Sequence, residues 1–217
     1  MISIIIPVLN EASELTTTLE RVAANSQPHE IIVVDGGSKD ETVQIAQRAG
    51  AKVIPTQRTG RAIQMNEGAK VAGGDILVFL HADTHLSLTS MQQIESALTE
   101  PKVVGGGFER RFDSSSAFLK FTCWTATWRS RWFGWFFGDQ AMFVRRAVFE
   151  RLGGFKEIPV FEDLDFSRRL ARVGRVVTLS PGIVSSGRRF KRHGPFLTTC
   201  SDVWRTCRYV AGFKEWM

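Results

Sequence analysis

A chain of 217 residues, 43% apolar and 23% charged, has the length and composition of an ordinary globular domain, which excludes a disordered or fibrous segment. Three cysteines, Cys123, Cys200 and Cys207, lack CxxC spacing; they exclude a zinc knuckle and a complete disulfide framework and fit a reducing cytoplasm. The net charge of +6 divides unevenly: residues 1–100 carry 7 Lys and Arg against 12 Asp and Glu, residues 101–217 carry 21 against 10, so the halves suit different partners.

Short β-branched runs alternate with amphipathic stretches through the first half. Ile2 to Ile6, Glu30 to Asp35, Lys52 to Pro55 and Asp75 to His81 read as strands, apolar on both faces as buried parallel strands are. No basic leader precedes the first of them, and no apolar run reaches the ~18 residues a spanning helix needs. Asn10 reads as the N-cap of a helix carrying Leu15, Leu19, Val22 and Ala23, and Ser38 to Glu41 as the capping box of a second helix burying Val43, Ala46 and Ala49. Ala62, Met65, Ala69 and Ala72 form a third apolar stripe that ends at Gly73-Gly74. This β-α-β-α-β-α-β order predicts a doubly wound, mostly parallel α/β sheet, whose ligands sit beyond the carboxyl ends of its strands.

A helix follows over residues 88–98, then a strand from Val103 to Phe112 that opens on three glycines. Residues 118–137 are unusual. Phe118, Phe121, Trp124, Trp128 and Trp132 recur at helical spacing among Lys120, Arg129 and Arg131. Three readings stand side by side: core packing or the wall of an acceptor pocket, a membrane-surface patch, and self-association. A strand over Gln140 to Val144, a helix over Asp163 to Val173, a strand over Val176 to Ser180 and a last amphipathic helix over 195–211 complete the chain. The whole of 1–217 reads as one domain, with an acidic half over 1–100 and a basic half over 101–217.

Acids mark the predicted sheet rim. Asp35 ends the second strand before Gly36-Gly37-Ser38, where it can bind a base or ribose or simply close the turn. Asp83 ends the fourth strand in Leu80-His81-Ala82-Asp83, a hard oxygen ligand of the kind Mg2+ or Mn2+ takes when it bridges a diphosphate. Glu162-Asp163-Leu164-Asp165 opens a helix; such acids complement the helix dipole, with Asp165 paired to Arg169, or supply a general base. His85 reads as an exposed loop histidine. Asp139, between the aromatic segment and a strand, is placed to reach an acceptor.

Ser3 to Glu11 (SIIIPVLNE), Ile31 to Thr42 (IIVVDGGSKDET), Gly60 to Gly68 (GRAIQMNEG), His81-Ala82-Asp83 and Glu162-Asp163 together resemble a family-two glycosyltransferase of the GT-A fold over residues 2 to 190. More narrowly, His81-Ala-Asp-Thr84, Gly138-Asp139-Gln140 and Arg188-Arg189-Phe190 are similar to a bacterial subgroup labelled arsenosugar-biosynthesis-associated glycosyltransferases, a genomic association rather than a substrate.

The resemblance implies that residues 1–100 bind a nucleoside-diphosphate sugar and residues 101–217 face the acceptor. Pro7, Asn10 and Glu11 would line the nucleotide pocket, Asp35 would hold the base and Gly36, Gly37 and Ser38 the adjoining turn, and Arg61 and Asn66 the base or phosphates. Asp83 would coordinate the divalent metal, Glu162 would contact substrate, and Asp163 would be the base of an inverting transfer. His81 stands where the commoner motif has an acid; a neutral imidazole there can hydrogen-bond ribose or join the metal. Arg188 and Arg189 are substrate ligands on the same reading, and His193 is set either as a late metal ligand or as a loop imidazole. The base could be uracil or guanine. The acceptor could be lipid-linked, with the enzyme at the inner face of the membrane.

Of two rivals, the first loses at this level. A nucleotidyltransferase would carry a glycine-rich basic loop where this chain has Pro7-Val8-Leu9-Asn10-Glu11. A non-catalytic nucleotide-sugar-binding or membrane-surface adaptor would explain the basic half without needing Asp163. Nucleic acid is not an expected partner, since no recognition helix, zinc or RNA-binding signature is present.

Overall fold

The computed structural model describes residues 1–112, 116–185, 190 and 194–212. Eight strands form one sheet in the order β3-β2-β1-β4-β7-β6-β8-β5. Its first half is β1 (Ile2–Val8), β2 (His29–Asp35), β3 (Lys52–Pro55) and β4 (Ile76–Phe79), joined by α1 (Ala12–Ala23), α2 (Thr42–Arg48) and α3 (Arg61–Val71). These strands are mutually parallel, as the alternating pattern requires. The short β5 (Thr84–His85) and α4 (Ser90–Ala97) lead to β6 (Val103–Phe112) and α5 (Ala117–Phe133). A 3-10 turn at Gly138–Gln140 precedes β7 (Met142–Arg145), α6 (Arg146–Arg151), α7 (Glu162–Leu170), β8 (Arg175–Ser185) and α8 (Pro195–Val210). Antiparallel β7 sits between β4 and β6, and parallel β6–β8 pairing resumes beyond it.

Strand β1 explains why helices cover both faces. Ile2, Ile4, Ile6 and Val8 point into one core with Leu15, Leu19 and Val22 of α1, while Ile5 joins Met65 and Ala69 of α3 and Phe166 of α7 in the other. Both sets of side chains are buried, so each face contributes burial of roughly 1.5–3 kcal/mol per large aliphatic residue. Glycine is needed where layers touch. A Cβ on Gly106 would lie 2.0 Å from the Val177 carbonyl oxygen, and one on Gly68 would lie 2.5 Å from Ile5 Cγ2. The glycine run at 105–107 therefore serves close approach, beside a register shift between Val103 and Gly105.

Several local expectations are corrected. Neither Asn10 nor Ser38 caps its own helix; α1 and α2 start after Glu11 and Glu41, without a side-chain cap from either. Ala49 is exposed rather than buried. β4 stops at Phe79, so Leu80 and His81 lie beyond it, and His85 belongs to β5, paired with Val184 of β8, rather than to an exposed loop. Core packing does not account for the aromatic stripe of α5. Phe121, Trp124, Trp128 and Trp132 are 58, 63, 47 and 74% exposed, because the inward face of the helix is the small and polar set Thr122, Ala126 and Ser130, with Leu119.

Candidate active site

The carboxyl ends of β1 and β2 make the first part of the site. Asp35 is buried, and its carboxylate accepts the backbone N–H groups of Gly37 and Ser38 at 3.1 Å, which closes the turn. Asn10 has φ +55°; its N–H donates to Ser38 Oγ at 2.9 Å, and its Oδ1 accepts from the Lys39 N–H at 2.8 Å. Glu11 N–H donates to Thr42 Oγ1 and Ala12 N–H to Asp40 Oδ2, so the second loop caps the first helix across space. Pro7, Asn10, Glu11, Asp35, Gly36, Gly37 and Ser38 are thus one stitched rim. Sequence reading missed its anchor, Gln64, whose buried amide donates to Val8 O at 2.8 Å and Val34 O at 2.9 Å. The signal was a glutamine inside an apolar stripe, one turn after Arg61.

Helix α3 connects this rim to the second part. Arg61, on its first turn, reaches Glu162 Oε1 at 3.5 Å. Glu162 and Asp163 begin α7 and are only 3 and 8% exposed, although a first-turn acid is ordinarily solvated. Asp163 accepts the Gly138 N–H through Oδ2 and the Leu164 N–H through Oδ1, both at 2.6 Å. Burial raises its pKa against the pull of these bonds and of Arg61. Burial, reinforced by the charge of Asp163, pushes Glu162 up to about 7, with Arg61 opposing. Asp165 is different in kind: Lys156 and Arg169 hold it low despite burial, and it serves as the expected structural ion pair.

Behind the acidic pair lies a buried polar group. A Cβ on Gly138 would fall 2.2 Å from His81 Nε2, so only glycine allows the imidazole to lie over that turn. Burial and then Arg61 push His81 down to about 3, so the ring is neutral, and its Nε2 has no partner among the described residues. Asp139 pairs with Arg110 at 2.6 Å; this and the neighbouring Arg129 overcome burial and hold the carboxyl below its ordinary range. Asp139 is therefore committed to an internal ion pair. Its other oxygen, Oδ1, finds no partner among the described residues. Arg129 Cζ lies 4.1 Å from the Phe137 ring centroid, and burial lowers its pKa to about 10.

Backbone strain gathers on the same loops. The three non-glycine residues with positive φ among the described residues are Asn10, Ala141 and Phe161, at +55, +45 and +65°. They follow β1, precede β7 and precede Glu162. Ala and Phe in that region cost on the order of 1–3 kcal/mol each, which surrounding contacts must offset.

Other residues fall elsewhere. Asn66 binds Phe155 through both its backbone groups, at 2.8 and 2.9 Å, so its amide ties α3 to the loop after α6 rather than facing a nucleotide. Arg188, Arg189 and His193 lie outside the described residues. Asp83 is half-buried in the turn between β4 and β5, a turn held by the Thr18 Oγ1 bond to Ala82 O at 2.6 Å. No group of three or more His, Cys, Asp or Glu side chains is gathered as a metal cage among the described residues. One hard carboxylate at the rim still fits Mg2+ or Mn2+, which are commonly held by one or two carboxylates plus substrate phosphates. A concavity of about 460 Å3 lies at the opposite edge of the sheet, lined by Met1, Asp75, Arg145 and Arg146, and contains none of these residues.

The family model described as glycosyl transferase family 2 matches residues 3–153. A glycosyltransferase of PGL/p-HBAD biosynthesis from Mycobacterium bovis is 30% identical over 187 residues, covering 78% of this chain and 69% of the relative. An undecaprenyl-phosphate 4-deoxy-4-formamido-L-arabinose transferase from Aeromonas hydrophila is 30% identical over 126 residues, covering 52% of this chain and 39% of the relative. Among solved structures, a mannosyltransferase from Pyrobaculum calidifontis in complex with GDP-Man and Mn2+ superposes with a TM-score of 0.71 at 24% identity, over 85% of this chain and 56% of that one. TarS 1-349 of S. aureus in complex with UDP-GlcNAc gives 0.69 at 18% identity, over 85 and 58%. The chain thus spans little more than half the length of those two solved proteins, and the likeness extends to the fold.

Proposed function

The chain belongs to glycosyl transferase family 2, and from that premise we propose that it transfers a glycosyl group from a nucleoside-diphosphate sugar to an acceptor hydroxyl, with inversion. The observation that carries this reading is the buried carboxyl pair Glu162-Asp163, linked through Arg61 and α3 to the stitched rim at Asp35. Acids of helix first turns are usually solvated; this pair is sunk, and burial raises both pKa values, which makes each carboxylate a stronger proton acceptor.

In this mechanism Asp35 and the Asn10–Ser38 loop hold the nucleoside, and Arg61 lies near the diphosphate. Asp83 would hold a divalent cation, which would supply positive charge against the charge developing on the leaving diphosphate. Asp163 takes the proton of the acceptor hydroxyl as its oxygen bonds to the anomeric carbon. The bond from that carbon to the diphosphate oxygen breaks, and the nucleoside diphosphate leaves from the opposite face. His81, neutral throughout, is set to bind ribose or donor phosphate oxygens. Gly138 orients Asp163 and is a positioning residue. Residues 1–100 form the donor half and 101–217 the acceptor half of one catalytic unit. A relative named for undecaprenyl phosphate supports a lipid-linked acceptor.

The test is release of nucleoside diphosphate from a panel of uridine and guanosine diphosphate sugars with Mn2+ or Mg2+. Transfer-competent protein releases it with at least one donor, and Asp163→Asn loses turnover while keeping donor affinity. Binding of a donor with no release under any condition, and no effect of D163N, would favour the non-catalytic adaptor instead.

A further inference from the structure

Helix α8 is amphipathic in the wrong sense for a helix packed on a core. Its apolar face looks outward: Phe196, Val203 and Trp204 are 64, 56 and 65% exposed, and Thr198 is its one buried residue. The outward stripe of α5 continues that face, since Phe118 meets Phe196 with ring centroids 5.9 Å apart. Along the stripe the exposed rings touch chiefly each other, Phe121 with Trp124 at 5.9 Å and Trp128 with Trp132 at 6.0 Å. Apolar area of this extent on two adjoining helices marks an interaction surface.

The charges name the occupant. Helix α5 carries no acid: Lys120 is exposed on it, Arg131 is half-exposed and pairs with Glu109, and Arg129 is turned inward onto Phe137; α8 carries Arg205 and Arg208 against Asp202. Tryptophan rings with basic side chains and almost no acids suit the interface of an anionic bilayer. A second copy fits poorly, because a two-fold contact through this face would set each basic rim against its own mate. The face also adjoins the acidic pair. Tyr209 of α8 stacks on Phe161 at 5.0 Å, Phe161 immediately precedes Glu162, and Phe161 lies 6.4 Å from Phe137, whose neighbour Gly138 holds Asp163.

We infer that the outward faces of α5 and α8 dock on an anionic lipid surface, bringing Glu162 and Asp163 beside the headgroup layer. The docking stands on the surface alone; only its use, presenting a lipid-linked acceptor to Asp163, rests on the transferase reading.

The experiment is sedimentation of the full chain with phosphatidylcholine vesicles, with and without phosphatidylglycerol, read together with tryptophan emission. Binding is expected only to the anionic vesicles, with a blue shift, and weakens as salt is raised. Trp124→Ser with Trp204→Ser should lower partitioning about tenfold or more, since binding scales with apolar area buried. Lys120→Ala should lower it roughly fivefold. Nucleoside diphosphate release in vesicle-free buffer reports on the transferase reading separately and should be unaltered in these variants. Wild-type chain that ignores anionic vesicles overturns the inference whatever the release assay gives; so does a lipid-independent dimer whose formation shifts the tryptophan emission. Vesicle binding without release from any donor leaves the docking face standing and removes the transferase.

Discussion

Asp163 and Glu162 are adjacent in sequence yet differently committed: the first holds two backbone N–H groups, the second faces Arg61. Asp163→Asn keeps the Gly138 bond through its amide oxygen but cannot take a proton, so kcat in a transfer assay should fall about 10²- to 10⁴-fold with donor affinity little changed. Glu162→Gln separates stability from catalysis. Its folded pKa, about 7, lies above the 4.5 of a free glutamate, so the protonated form is favoured in the fold. The stability this contributes is fully present below pH 4.5 and is lost as pH rises towards 7. Glutamine imitates the protonated acid at all pH values. The Tm of E162Q should match wild type near pH 4 and exceed it at pH 8, by the equivalent of about 1–3 kcal/mol in denaturant unfolding. Equal Tm differences at both pH values would contradict a buried, raised Glu162. Gly138→Ala forces a methyl against the His81 ring, and activity should drop while the sheet survives, as judged by far-UV circular dichroism.

At the scale of elements, α3 carries the most. Its Gln64 amide joins β1 to β2, its Arg61 faces the acidic pair, and its Gly68 lets it lie against Ile5 and Val34. Gln64→Leu removes two buried bonds and should cost about 1–3 kcal/mol in urea unfolding, with a matching loss of donor affinity. Gly68→Ala places a Cβ 2.5 Å from Ile5 Cγ2 and 3.0 Å from Val34 Cγ2, and should also cost about 1–3 kcal/mol, but through the α3–sheet spacing. The two variants should differ in donor binding more than in stability. Helix α7 shows the complementary case. Phe161 at φ +65° turns the chain so that Glu162 and Asp163 enter the protein instead of solvent.

Across the whole molecule the parallel sheet β3-β2-β1-β4 carries the stitched rim, while β7, β6 and β8 carry the turn that meets α7. Among the described residues helix α8 meets this body through Phe118–Phe196, Phe161–Tyr209 and the Tyr209 bond to Asp165, and Thr198 is its one buried residue. Ending the chain before Pro195 should therefore leave the core folded, with near-UV circular dichroism retained and Tm lowered by only a few degrees. No helix among the described residues is long and apolar enough to cross a membrane.

Periodicity in the sequence determined the parallel first half, because strands buried on both faces must be apolar throughout and their helices must show one apolar stripe. It also determined Asp35 at the rim, since a residue ending such a strand stands at the carboxyl edge, whereas Asp83, read as a strand end, lies in the turn four residues past β4. Tertiary structure alone decided what those residues touch. Capping was read locally, yet Asp40 and Thr42 bond the N–H groups of α1 from another loop, and Asn66 was spent on Phe155. Helical spacing found the aromatic stripe of α5 but not its direction, because a helix with small residues on the opposite side can bury that side instead. The pairing of Gly138 with Asp163 spans 25 residues, and the burial that raises both acids comes from the packing of distant segments, which no local pattern encodes.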